Sequence, residues 1–156
     1  MAKSQCFKIV GNFQQCNVWS QPDPGFVGHI LVNTGDGSFK GYMEEQYPSD
    51  YDITRLVSGV FNEKMGRLIY YKLAKDPDVA PILYMFWDIS SLGDWFAITR
   101  IGNLIHSGVA RVKLEPVSLT DEILGKIEAA KESVLAVSDP NRRLFSKGSS
   151  LLNAFG

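Results

Sequence analysis

The sequence predicts a mainly β fold: an eight-stranded, up-and-down antiparallel β-barrel with one C-terminal α-helix packed outside it. Three observations predict it. Apolar and polar residues alternate with period two through successive short segments from Phe7 to Val117. The connections between those segments alternate between tight, glycine-bearing turns and longer polar loops. One helical stripe of apolar residues then follows. In an antiparallel meander every other connection lies at the same end of the sheet, so the tight turns gather at a base and the long loops at a mouth. The rival is a two-sheet β-sandwich with a helix on one face. A closed barrel alone pairs the first strand with the eighth.

In the first strand Phe7, Ile9, Gly11 and Phe13 share one face, while Lys8, Asn12 and Gln14 take the other with Val10. The second runs from Phe26 to Asn33 and turns at Gly35-Asp36-Gly37. The third sets Phe39, Gly41 and Met43 against Lys40, Tyr42 and Glu44. The fourth (Arg55 to Asn62) and fifth (Arg67 to Lys75) are joined by the turn Asn62 to Gly66. The sixth, Pro81 to Ile89, is apolar on both faces, so its outer side needs cover. Ser90 to Asp94 leads into the seventh, Trp95 to Arg100. In the eighth, Gly108, Ala110, Val112 and Leu114 alternate with Arg111, Lys113 and Glu115. Asn17 to Gly25, Gln46 to Thr54, Ala74 to Pro81 and Ile101 to Ser107 form the long connections. Gly28, Gly41, Gly59 and Gly108 lie inside strands, which suggests sharp coiling or close packing at barrel corners.

Thr120 is positioned as an N-cap, with Asp121 and Glu122 in the first turn where the helix dipole favours acids. Ile123, Ile127, Ala130, Val134 and Val137 form the stripe, expected to lie over the sixth strand, and Ser138-Asp139-Pro140 ends the helix. Residues 1–138 thus read as one domain with a helix over 121–137. The tail, 139–156, carries Leu144, Phe145, Leu151, Leu152 and Phe155, an apolar load that could close the barrel mouth, cover the barrel wall or be buried in a homodimer contact. The dimer is favoured because the helix already supplies the stripe one wall needs.

At 156 residues the chain can bury a core without a disulfide or metal. A formal net charge of −1 with no basic run excludes the electrostatic footprint of a nucleic-acid binder. Cys6 and Cys16 flank the first strand, roughly 33 Å apart along extended chain, and so cannot pair while it stays straight. Two reduced thiols, no apolar stretch after the N-terminal lysine and no apolar run longer than Ile82 to Trp87 lead to the expectation of a cytoplasmic protein without a membrane span.

Asp23, Asp50, Asp52, Asp76 and Asp78 fall in the long loops and would set a negative field on the rim. Aspartate beside proline is also routine turn chemistry. Asp50 and Asp52 have the spacing of a calcium loop without its glycine or distal glutamate, so no metal is expected. His106 shares parity with Gly108 and Ala110 and is read as inward, below the mouth. His29 falls opposite Phe26 and Ile30. Aromatics crowd the fifth to seventh strands, and parity assigns Tyr71, Tyr84 and Phe86 inward, with Trp87 outward toward the helix. An interior lined by tyrosines suits a flat, partly polar ligand, whereas an eight-stranded interior can also be filled by side chains.

Gly11-Asn12-Phe13 on the first strand resembles the Gly-x-Trp signature of the calycin superfamily (lipocalins, fatty-acid-binding proteins and avidins), with Phe in place of Trp. The barrel and following helix are similar to that family's layout over roughly residues 5–138. The resemblance implies that Phe13 plugs the barrel base and that Arg111 packs across it. It also implies a haem-ligating alternative for His106, as late-strand histidines serve in some such barrels. Ser49-Asp50-Tyr51 resembles a second lipocalin motif but sits where that family does not place it.

The expected function is a non-catalytic small-molecule binder, holding a hydrophobic or aromatic ligand in or at the barrel mouth through Tyr71, Tyr84, Phe86, His106 and Met43. No cofactor is assigned. A competing class is an enzyme on the same fold, an isomerase, cyclase or lyase using Tyr71, Tyr84 or His106 as acid or base. A third is an assembly module presenting the helix and tail.

Overall fold

The computed structural model describes residues 3–15, 25–46, 53–73, 81–99 and 102–137. The strands are β1 (Ser4–Gln15), β2 (Gly25–Asn33), β3 (Ser38–Gln46), β4 (Ile53–Asn62), β5 (Arg67–Leu73), β6 (Ile82–Phe86), β7 (Gly93–Ile98) and β8 (Leu104–Val117), followed by α1 (Asp121–Val137). Each strand pairs antiparallel with the next. β1 also pairs with β8, from Cys6↔Val117 to Gln15↔Gly108, which closes the sheet in sequence order. Closure removes both sheet edges and excludes the sandwich. The aspartates expected on the rim and the tail 139–156 lie outside the described residues.

The tight turns do gather at one end, and side chains fix them. Asp36 Oδ1 accepts from the Ser38 N–H at 2.9 Å and the Ser38 hydroxyl at 2.6 Å. Asp88 repeats the device with Ser90, at 3.0 and 2.6 Å. In both turns these bonds hold the carboxyl below its ordinary range. One expected long connection is overturned. β8 begins at Leu104, and the link from β7 is short: the Asn103 N–H donates to Thr99 Oγ1 at 3.0 Å, and Gly102 takes φ 90°. The turn signal was Gly102-Asn103, and Leu104 to Ser107 continue the ladder rather than a loop.

Inward positions follow the period-two pattern. At the base, Phe7, Val32, Phe39, Phe61, Leu68 and Leu114 belong to one interior cluster with Ile9, Ile30 and Val112. Gly59 permits this density. A Cβ there would run into the Ile69 carbonyl and the Tyr70 Cα, and Gly41 meets the His29 carbonyl in the same way.

The helix does not cover β6. It packs across β3 and β4, where Tyr42, Leu56 and Leu73 point outward and form a second cluster with Ile127 and Ala130. Leu31 of β2 and Ile123 of α1 pack against the same cluster, so outward-facing apolar side chains from four neighbouring strands form the seat. Thr120 caps α1 by accepting from the Ile123 N–H at 3.2 Å. Trp87 is instead exposed, with the Arg67 guanidinium 3.7 Å above its ring. Under the helix edge, His29 Nδ1 and the Tyr42 hydroxyl share a 2.6 Å hydrogen bond. Burial pushes the Tyr42 phenol up to about 12. The His29 imidazole is pushed down by burial, with Lys126 and Lys8 adding to it.

Candidate functional site

The mouth half of the interior differs from the base: it holds charge. Extending the inward parity of Phe39, Gly41 and Met43 along β3 reaches Glu45. On β5, Leu68 and Tyr70 lead to Lys72. On β4, Arg55 lies opposite Met43 in the ladder, and Val57 opposite both Gly41 and Lys72. Residues directly opposite in antiparallel strands share a face, so Glu45, Arg55 and Lys72 enter the barrel from three consecutive strands.

Lys72 Nζ forms an ion pair with Glu45 Oε1, reaching past β4, and the two side chains are only 11% and 5% exposed. The Lys72 ammonium also lies 4.4 Å from the centroid of the Tyr84 ring, within cation–π range. Burial pushes the Lys72 ammonium down to about 7, a shift that the Glu45 carboxylate opposes. Burial raises the Tyr84 phenol, with the Arg55 charge acting the other way. It raises the Tyr70 phenol well above its usual range, and Tyr84 adds to that.

Beneath these charges four rings lie nearly parallel. Tyr70 stacks on Tyr84 at 5.5 Å and on Phe86 at 5.9 Å, while Trp95 stacks on Tyr84 at 6.3 Å and on Phe86 at 6.2 Å. The rings form an aromatic floor; Lys72, Glu45 and Arg55 form a charged collar above it. With two cations and one carboxylate, the collar favours an electron-rich or anionic group.

The sequence-derived residues divide cleanly. Tyr84 and Phe86 face inward and belong to the floor, and Met43 is fully buried in the same interior cluster. Tyr71 was assigned inward and is not: it is 37% exposed on the outer surface, and Tyr70 takes the inward place. The β5–β6 register decides this, since Tyr70 lies opposite Tyr84. Arg111 is exposed on the outer face of β8, where it lines a groove with Lys8, Asn12 and Lys113, so it cannot pack across an interior plug. Phe13 lies opposite Ala110 near the mouth end of β1, so the expected base plug is at the wrong end of the strand. His106 lies opposite Ala97 in β8, and its side chain is outside the described residues.

The sequence matches no protein-family model, no curated protein and no solved structure. The collar is therefore read on its own geometry.

Sequence reasoning missed Glu45, Arg55, Lys72, Tyr70 and Trp95. The signal was available: a charge at an inward-parity position. Among the described residues, no group of three or more His, Cys, Asp or Glu side chains is placed to hold a metal ion.

Proposed function

We propose that this barrel binds a small hydrophobic or aromatic molecule, entering from the mouth, with its body on the aromatic floor and an acceptor or anionic end at Lys72 and Arg55. One observation carries the reading: charged side chains point into an otherwise apolar interior. A buried ion pair contributes little net stability, and apolar residues of the same volume often serve as well or better. Charges kept there are better explained by something they bind.

The closed barrel and the outer helix support a calycin-like comparison. The position of Gly11-Asn12-Phe13 at the mouth end of β1 argues against it. Native mass spectrometry of protein from its own source tests the reading, with retained non-protein mass as the expected result. Titration with an anilinonaphthalene sulfonate, an aromatic anion, is the second arm. Binding should weaken about tenfold or more in Arg55→Ala, the loss of one charge-assisted hydrogen bond. The absence of both retained mass and saturable probe binding would remove the proposal. The homodimer is likewise a proposal, tested by sedimentation of the full chain beside a chain lacking 141–156.

A further inference from the structure

We propose that Lys72 captures carbonyl compounds, its Nζ forming a reversible imine with an aldehyde or ketone held on the aromatic floor, with Glu45 as proton carrier. This rests on the ligand-binding reading above and narrows its ligand to a hydrophobic carbonyl.

The first support is placement. A lysine amine attacks carbonyls when its surroundings disfavour the ammonium, as in an apolar pocket. Lys72 projects into the barrel, and its side chain is 11% exposed. Its inward neighbours in the ladder are Val57 and Ile82.

The second support is the partner. Glu45 Oε1 contacts Nζ directly. In a desolvated site an ammonium–carboxylate pair can relax to amine and carboxylic acid, because neither charge then has to be held out of water. Burial depresses the Lys72 ammonium to about 7, which makes the free amine accessible at neutral pH. Glu45 from β3 contacts Nζ and Tyr84 from β6 lies beside it, while Arg55 from β4 and Tyr70 from β5 share the inward face.

The third support is the wall. The Tyr84 face lies 4.4 Å from Nζ, with Tyr70 stacked against it. A conjugated or aromatic carbonyl can lie on that surface, and the cationic product keeps both the π face and the Glu45 carboxylate.

Glu45 takes one proton from the Lys72 ammonium. The free amine forms a C–N bond to the carbonyl carbon, the C=O π bond opens, and one N–H proton passes to the oxygen, giving a carbinolamine. Glu45 returns its proton to that hydroxyl, which leaves as water while nitrogen forms the C=N bond. The products are a protonated imine, a Glu45 carboxylate and one water, and no oxidant or reductant is consumed.

The test incubates the full chain with naphthaldehyde and cyanoborohydride at neutral pH, reducing any imine to a stable secondary amine, then maps adducts by peptide mass spectrometry. An ordinary lysine, with a pKa near 10.4, is neutral in about one molecule in 2,500 at pH 7, whereas an amine with a pKa of about 7 is about half neutral. Adduct formation at Lys72 should therefore be on the order of a thousandfold faster than at exposed Lys8 or Lys64. Glu45→Gln should slow it by about a hundredfold or more; an unchanged rate would overturn the role of Glu45. Lys72→Met strands the Glu45 carboxylate, so E45Q/K72M is the matched control, and a fast adduct persisting in it would overturn the assignment to Lys72. Naphthylmethanol, which cannot form an imine, separates the two readings through tryptophan fluorescence. If the alcohol binds and Lys72 is not labelled, the imine is overturned and ligand binding stands. If the alcohol does not bind and Lys72 is not labelled, both fall.

Discussion

Replacing Lys72 by Met keeps an unbranched apolar stem and removes the ammonium, leaving Glu45, whose side chain is 5% exposed, without its ion-pair partner. Breaking a buried pair from one side costs about 3–5 kcal/mol, because the remaining charge keeps its desolvation penalty. For a 156-residue chain, each kcal/mol moves the thermal midpoint by about 2–4 °C, so K72M should melt roughly 6–20 °C lower. E45L/K72M, which removes both charges, should recover to within about 1 kcal/mol of the parent or exceed it. The pH dependence has a definite sign. In K72M the Glu45 carboxyl, buried and stripped of its cation, rises above its unfolded value of about 4.3. Its contribution is then fully present below that value and is lost as pH rises through the folded value. The deficit of K72M should therefore shrink as the solution is acidified from pH 7 to about 5. Urea denaturation followed by tryptophan fluorescence at both pH values measures it. A K72M protein within about 0.5 kcal/mol of the parent, or a double variant no better than the single one, would refute the burial argument.

Gly59→Ala drives a methyl into the Ile69 carbonyl and should cost about 1–3 kcal/mol in chemical denaturation. Thr120→Ala removes the cap on the Ile123 N–H and should cost about 1 kcal/mol, with faster amide exchange confined to the first turn of α1. Arg111→Ala should change stability by less than about 0.5 kcal/mol, since Arg111 is exposed on the outer face; a larger loss would revive the plug. The folded pKa of His29 lies below its unfolded value, so its contribution is present above about 6.5 and lost as pH falls further. His29→Gln should accordingly flatten the acid limb of the stability profile measured by urea midpoints.

The barrel was legible because its signals are local. Alternation along Phe7 to Phe13 and Gly108 to Leu114 reports which face is buried, and the Asp36 and Asp88 turns announce themselves by composition. Thr120 was equally readable, because a cap involves only its own first turn. The seat of the helix was not, because it depends on which outward side chains four strands assemble: Leu31, Tyr42, Leu56 and Leu73 are separated in sequence and meet only after the sheet curls. Tyr71 shows the limit of parity on a strand with adjacent aromatics. Tyr70 and Tyr71 fit either face equally well, and only the register with Tyr84 on β6 decides between them. The collar was hidden for a different reason. Glu45 sits at a strand end, where a charge is ordinarily taken as the start of a loop; Lys72 falls on the outer face once Tyr71 is read as inward; and their partnership skips over β4.

The seam between β1 and β8 joins the two ends of the patterned chain. A ribosome adds about 5–20 residues per second, so the roughly one hundred residues between the two strands take about 5–20 s to appear. Through that interval the nascent chain carries an unzipped strand with its hydrogen-bonding groups on offer, and no amount of earlier folding can close it. Cys6 lies in this seam, opposite Val117 and 3% exposed once the barrel is shut. Its thiol, lining an outer groove with Leu31, Val117 and Leu119, is therefore a natural clock for the final event, open to alkylation until β8 has left the ribosome and paired, and shielded afterwards.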